Sequence, residues 1–205
     1  KKVTEKLSLK PISTYNQTKM IAENVLNSYK KNFKIFIIRP ATVCGPSKRI
    51  RLDISVNQLV YQAVKNKKIT IHGGQQIRPN IHIRDLVNAI IFFLEKNVTT
   101  GTYNLGFENL KIIDLALKIQ KKIKCQIKIE KMFDIRSYRL DSSKIINIGF
   151  KKKFSVEHAI DELSKIFITK KFKHEDKNYN ILKLKKILAK NKNPNKIWYN
   201  KFFKK

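Results

Sequence analysis

Apolar positions along the chain follow two different periods, and the switches between them lay out the secondary structure. Pro11 followed by Ser13 and Thr14 opens a predicted helix over 14–29. Ile21, Val25 and Leu26 recur on one side of it and are expected to face inward. A continuous apolar run at 33–38 reads as a strand buried on both faces of a parallel sheet. Arg39-Pro40 ends it, because proline cannot continue a central ladder. Helical spacing returns over 53–65, with Leu59, Val60 and Val64 inward. Short strands at 69–71 and 80–82 flank the Gly73-Gly74 turn, and an apolar helix follows over 85–95, capped by Asp85. The pattern then gives a strand at 101–105, a helix at 112–123, a strand at 127–129 and a short helix at 142–146. A helix at 156–168 is the last expected inside the globular body. From 169 onward the composition turns to Lys and Asn, with an appended helix at 181–188 and aromatic residues at Trp198-Tyr199 and Phe202-Phe203.

Strands separated by helices in this order define an α/β chain, and 205 residues suffice for a sizeable core. The loop opened by Arg39-Pro40 sits at the carboxyl end of its strand, where open α/β sheets bind ligands. Composition adds a strong charge: 45 Lys and Arg against 15 Asp and Glu, a net +30. That balance draws in anionic ligands, and it raises the alternative of a nonenzymatic basic module binding nucleic acid. The lysines are spread along the whole chain, however, so no specific nucleic-acid partner is expected. Two cysteines, Cys44 and Cys125, are too few for a disulfide framework, and no Cys/His cluster has metal-ligand spacing. No apolar run approaches the ~18–20 residues of a membrane span. A cytoplasmic protein without a membrane partner is the expectation.

Candidate chemistry centres on the helix at 14–29. Tyr15 and Lys19 stand four residues apart, hence on one helix face. A cation or a helix N-terminus beside a phenol favours its ionised form, which suits a phenol to acid/base work. The spacing alone is weak in so lysine-rich a chain: it also occurs at Tyr61/Lys65 and Tyr179/Lys183, both assigned to helix surface. Context selects the first. After Tyr15 and Lys19 come Ile35-Phe36-Ile37-Ile38, Arg39-Pro40-Ala41-Thr42-Val43-Cys44-Gly45-Pro46, Gly73-Gly74-Gln75-Gln76-Ile77-Arg78-Pro79-Asn80-Ile81-His82-Ile83-Arg84-Asp85 and Tyr103-Asn104-Leu105-Gly106.

In this order and spacing the landmarks resemble the NAD-dependent nucleotide-sugar epimerase/dehydratase branch of the extended short-chain dehydrogenase/reductase family. The resemblance implies an incomplete Rossmann-like parallel sheet, lacking N-terminal βαβ units, joined to a small α/β substrate-binding region. Residues 1–46 would be the last part of the NAD-binding domain, 47–168 mostly the substrate-binding region with 80–106 returning to the sheet, and 169–205 an extension. It implies that Tyr15 moves a proton at a sugar hydroxyl while Lys19 holds the nicotinamide ribose, and that Pro40 and Ala41 lie against the nicotinamide. Thr42 stands at a substrate-facing position. Arg78 matches the arginine that pairs with the substrate diphosphate and roofs the cleft of the phenol, a role suited to a planar fork of donors. Asn57, near a helix start, and Arg136 would add donors to the same phosphates. NAD is the implied cofactor, with NADP not excluded, a nucleotide-diphosphate sugar the substrate, and a homodimer the assembly. The third catalytic partner, a Ser or Thr, would fall upstream of Lys1. None of the six glycines forms the G-x-G-x-x-G cradle for a dinucleotide pyrophosphate. The expectation is therefore the C-terminal portion of such an enzyme, or an inactive remnant of one.

Overall fold

The structure, a computed structural model, describes residues 2–132, 137–169 and 172–190. In chain order the elements are β1 (Lys2–Val3), α1 (Thr14–Ser28), β2 (Phe36–Pro40), β3 (Thr42–Cys44), α2 (Ser55–Asn66), β4 (Lys68–His72), β5 (Ile77–His82), α3 (Ile83–Glu95), β6 (Gly101–Leu105), β7 (Glu108–Lys111), α4 (Ile112–Lys122), β8 (Gln126–Glu130), β9 (Arg139–Leu140), α5 (Ser143–Asn147), α6 (Val156–Ile168) and α7 (Asn180–Lys190), with a 3-10 turn at Asp176–Asn178. Strands pair in parallel as β1 with β9, β2 with β6, β3 with β5 and β4 with β8; β7 runs antiparallel to β5. Parallel pairing demands helical crossovers, and the alternation of strand and helix supplies them.

Two apolar clusters form around this framework. One gathers Ala41, Ile81, Ala89, Phe93, Tyr103, Leu105, Leu140, Ile145 and Phe150 beneath β2, β6 and α3. The other packs α2, α4 and α6 over β4, through residues such as Leu59, Val60, Ile69, Ile119, Ile160 and Phe167. The apolar spacing of these helices is what makes that burial possible. Between the clusters runs the segment joining α5 to α6. Its Phe154 stacks on His82 at 5.0 Å, and the guanidinium of Arg84 lies 5.1 Å from the same ring.

Several expectations need correction. The first residues join the framework, since β1 pairs with β9 and Lys2 bonds Asp141 at 2.8 Å. That ammonium, with the Ser143 hydroxyl and N–H, lowers the Asp141 carboxyl to about 2. Helix α1 begins as expected, with Ser13 Oγ accepting from the Asn16 N–H at 3.2 Å, but it buries no residue. Ile21, Val25 and Leu26 are all exposed, because α1 is held mainly by a polar clamp. In that clamp Arg39 donates to Glu23 from both Nε and Nη2, the shortest contact being 2.6 Å. Strand β2 runs through Pro40 instead of stopping before it, and only Ile37 is buried, since β6 is its one partner among the described residues. Proline is tolerated there because it is the final pair of an edge.

Asp85 does not cap its own helix. His82 does, its Nδ1 accepting from the Arg84 N–H at 3.2 Å. Asp85, 0% exposed, instead accepts from the N–H groups of Lys153 and Phe154 at 3.0 Å each. Packing also continues past Ile168. Phe172 meets Phe167 edge-on, the Asn178 side chain donates to the Ile50 carbonyl at 2.7 Å, and the Leu52 N–H donates to the Asn178 carbonyl.

Candidate functional site

The chain changes partner at Ala41. Residues up to Pro40 pair with β6, while Thr42 onward pairs with β5, opposite Asn80. Consecutive strands that diverge leave a crevice at their carboxyl ends, the place where open α/β sheets take ligands. Two glycines permit the geometry. A Cβ on Gly106 would lie 2.7 Å from the Ala41 Cβ and 2.8 Å from Leu140, so only glycine lets the end of β6 pass beneath Ala41. Gly45 turns the chain out of β3 with φ +111, a conformation side-chain-bearing residues rarely adopt.

The crevice is a cleft of about 610 Å³, walled by Tyr15, Asn16, the run from Pro40 to Ser47, Arg49, Arg51, Ile54, Asn57, Ile83 and Tyr138. A larger cavity of about 730 Å³ lies between the Gly73–Gln76 turn and Ile129–Met132. Among the described residues its one charged lining residue is Lys131.

The structure thus brings Tyr15, Pro40, Ala41, Thr42 and Asn57 to one cleft. Tyr15 sits in the first turn of α1 with its ring 69% exposed, and Lys19 Nζ lies 5.4 Å from the ring centroid. Lys19 attends the phenol and is not itself part of the wall. Pro40 has no N–H, and that of Ala41 is spent on the Leu105 carbonyl at 2.8 Å. This wall therefore offers the cleft two apolar side chains and no free N–H.

Asn57 is a correction: its carboxamide is not presented to the cleft as a phosphate donor. It is buried, accepting from the Gly45 N–H and donating to the Arg51 carbonyl, both at 3.1 Å, so it holds the 45–51 loop in place. Arg78 is not among the residues that wall this cleft; it stands two residues before the strand partner of Thr42 and pairs with Leu110 on β7. Arg136 lies outside the described residues.

The cationic groups that do reach the cleft are Arg49 and Arg51, residues the sequence shows only as part of a basic loop. Arg51 Nε donates to Asp53 at 2.9 Å. Partial burial pushes the Asp53 carboxyl up, but bonds from Arg51 and from the Asn180 N–H outweigh it and hold the carboxyl below its ordinary range. Arg49 donates from Nη1 to the Lys177 carbonyl and to Asn180 Oδ1, at 3.1 and 3.0 Å. No pattern of spacing could have revealed the ties to Lys177 and Asn180, which join residues more than a hundred positions apart.

Behind the cleft, His82 Nε2 faces Glu162 at 3.3 Å, outside hydrogen-bond geometry, while Arg84 bonds the other Glu162 oxygen at 2.8 Å. Burial lowers the His82 imidazole despite the Glu162 charge beside it. Cys44 lines the cleft but is 1% exposed, and burial, then the Glu108 charge, raises its thiol to about 12. A thiol so rarely ionised is a poor nucleophile. Native protein treated with a thiol-specific disulfide reagent near pH 8 is expected to label quickly at Cys125 and only on unfolding at Cys44; rapid labelling of both would contradict this burial.

A Rossmann-like α/β framework with a cleft at its strand switch places the chain among the open α/β sheet proteins. Comparison with known proteins narrows the class. The model of the NAD dependent epimerase/dehydratase family matches residues 1–106, and the chain belongs to that family. It is 40% identical over 109 residues to the uncharacterized UDP-glucose epimerase YtcB of Bacillus subtilis, covering 51% of this chain and 34% of that protein. It is 34% identical over 119 residues to the dTDP-D-glucose 4,6-dehydratase of Dictyostelium discoideum, covering 56% and 27%. Among solved structures, UDP-glucuronic acid 4-epimerase from Bacillus cereus in complex with NAD matches with a TM-score of 0.68 and 27% identity over 82% of this chain and 57% of that one. RMD from Pseudomonas aeruginosa complexed with NADPH has the same fold, at a TM-score of 0.71 and 15% identity, covering 80% and 59%. The chain thus spans roughly a third and a quarter of the length of the two curated relatives.

Proposed function

We propose that the chain forms the catalytic-helix and substrate side of an NAD-dependent nucleotide-sugar epimerase or dehydratase. The observation that carries this is the shared cleft: the phenol of Tyr15, the apolar Pro40-Ala41 wall and two arginines face one space at the strand switch. In this reading 1–46 and 80–106 belong to the cofactor side, 47–168 mostly to the substrate side, and 169–205 is appended.

Tyr15, Lys19, Pro40 and Ala41 would hold the nicotinamide end of NAD, or of NADP. When bound, the cofactor supplies a hydride acceptor for the oxidised sugar carbon. The phenolic oxygen of Tyr15 takes the proton from the sugar hydroxyl and returns it when the carbonyl is reduced. Lys19 contributes a cation beside the ring and donors for ribose hydroxyls. Thr42 faces the sugar, and Arg49 and Arg51 set guanidinium groups where a diphosphate would sit, with the Asn57 carboxamide fixing the loop that carries them. The exposed Ile21, Val25 and Leu26 of α1 support burial against a second subunit as a homodimer.

Nothing in the 205 residues supplies a glycine-rich pyrophosphate cradle. Calorimetric titration of this chain is therefore expected to show UDP-glucose binding at the cleft, with NAD weaker than about 1 mM. Micromolar NAD affinity would contradict the division of labour proposed here, and no nucleotide-sugar binding at millimolar concentration would remove the substrate assignment.

A further inference from the structure

The C-terminal helix α7 (Asn180–Lys190) has no role in the cleft, yet its surface is strongly two-sided. Ile181, Leu184, Ile187 and Leu188 recur at helical spacing, hence on one face. All four are exposed, Ile181 to 70%, Leu184 to 55%, Leu188 to 42% and Ile187 to 39%. Lys183, Lys185 and Lys186 lie around the rest of the circumference, with Leu182 among them. From residue 180 to the end the sequence holds nine lysines and no acidic residue, with Trp198, Tyr199, Phe202 and Phe203 interleaved among them.

The start of the helix is fixed. The Asn180 side chain accepts from Arg49, the Asn180 N–H donates to Asp53 at 3.0 Å, and Lys186 pairs with Asp176. A helix tied down with an apolar stripe facing water has given up burial its residues could gain elsewhere.

We propose that α7 docks the protein on an anionic lipid bilayer, lying in the interface with Ile181, Leu184, Ile187 and Leu188 among the acyl chains and its lysines among the headgroups. Eleven residues make a helix of roughly 16 Å, too short to span a bilayer but sufficient to lie within one leaflet. That no helix among the described residues can cross a membrane leaves this surface mode untouched. Nucleic acid would accept the lysines but offer nothing to four aliphatic side chains. An anionic bilayer takes both, and headgroup attraction adds to each lysine near the surface. Because Arg49 both lines the cleft and holds Asn180, docking would bring the cleft close to the lipid surface.

The test is co-sedimentation of the full chain with vesicles of phosphatidylcholine alone, and of phosphatidylcholine with about one-third phosphatidylglycerol. Emission from Trp198, the single tryptophan, gives a second readout. Binding to the anionic vesicles, a blue shift, and little binding to the neutral ones are expected. The double variant Ile181→Ser/Leu184→Ser keeps every charge, alters only exposed residues, and is expected to lower partitioning at least ~10-fold. Lys183→Gln/Lys185→Gln is expected to lower it less, roughly threefold to thirtyfold. Equal binding of wild type and the serine variant, both released by roughly half-molar salt, would mean that bulk charge alone holds the protein, and would overturn the proposal. So would a dimer that the serine variant dissociates, seen by analytical ultracentrifugation without any vesicle binding.

Discussion

Replacing Tyr15 by Phe is expected to lower turnover by about 10²- to 10⁴-fold, the usual loss when a positioned acid/base group is removed, while nucleotide-sugar affinity changes less than about threefold. The substitution deletes one oxygen from an exposed ring on α1, whose cap, clamp to Arg39 and backbone are untouched. Stability should therefore stay within about 0.5 kcal/mol. The measurement requires a polypeptide joining this chain to a glycine-rich phosphate-binding half, assayed for conversion of a nucleotide sugar with NAD. Its readouts are kcat and KM separately, since an acid/base role falls on kcat and a binding role on KM. An unchanged kcat would take the phenol out of the reaction, and with it the reading of the cleft. Thr42→Ala is the informative control, because it alters a wall residue with no assigned part in proton transfer.

Much of this architecture was legible in the sequence, for a simple reason: periodicity reports burial within one element. The helix at 156–168 forms with those bounds because Val156, Ala159, Ile160, Leu163 and Phe167 recur on one face and are all buried. The switch at Ala41 was half visible, since Arg39-Pro40 marked the end of a strand, though not the new partner that opens the cleft. Contacts across the chain left no local trace. Asn57 looked like a donor at a helix start, but its amide is spent on Gly45 and Arg51. Arg78 carried the right chemistry, and only strand register shows that it stands outside the wall of the Tyr15 cleft. Arg49 meets Asn180 only once the chain is folded, whereas Arg51 bonds its near neighbour Asp53. The apolar spacing of α1 was read as an inward face, yet spacing states only that a face exists, not that anything in the same chain covers it.

Asp85→Ala should cost about 2–5 kcal/mol of stability, the largest loss expected from any single change outside the apolar clusters. The carboxylate, itself 0% exposed, receives two backbone N–H groups, from Lys153 and Phe154, in part-buried bonds. Alanine takes the acceptor from both donors, and each such loss costs about 1–3 kcal/mol where water does not replace it. The position magnifies the effect. Asp85 stands at the corner where β5 becomes α3, and the N–H groups it holds belong to the segment between Phe150 of one apolar cluster and Val156 of the other. Phe154, packed on His82 and Arg84, depends on the same anchor. For a chain of this size the midpoint of thermal unfolding should fall by about 5–15 °C. Asp85→Asn retains one acceptor but turns an amide N–H₂ toward a donor, so it should lose more than half of that stability. Urea unfolding of the three proteins gives the comparison directly. A midpoint for Asp85→Ala indistinguishable from wild type would mean that the corner is held by packing alone, and that the carboxylate is a passenger in the fold.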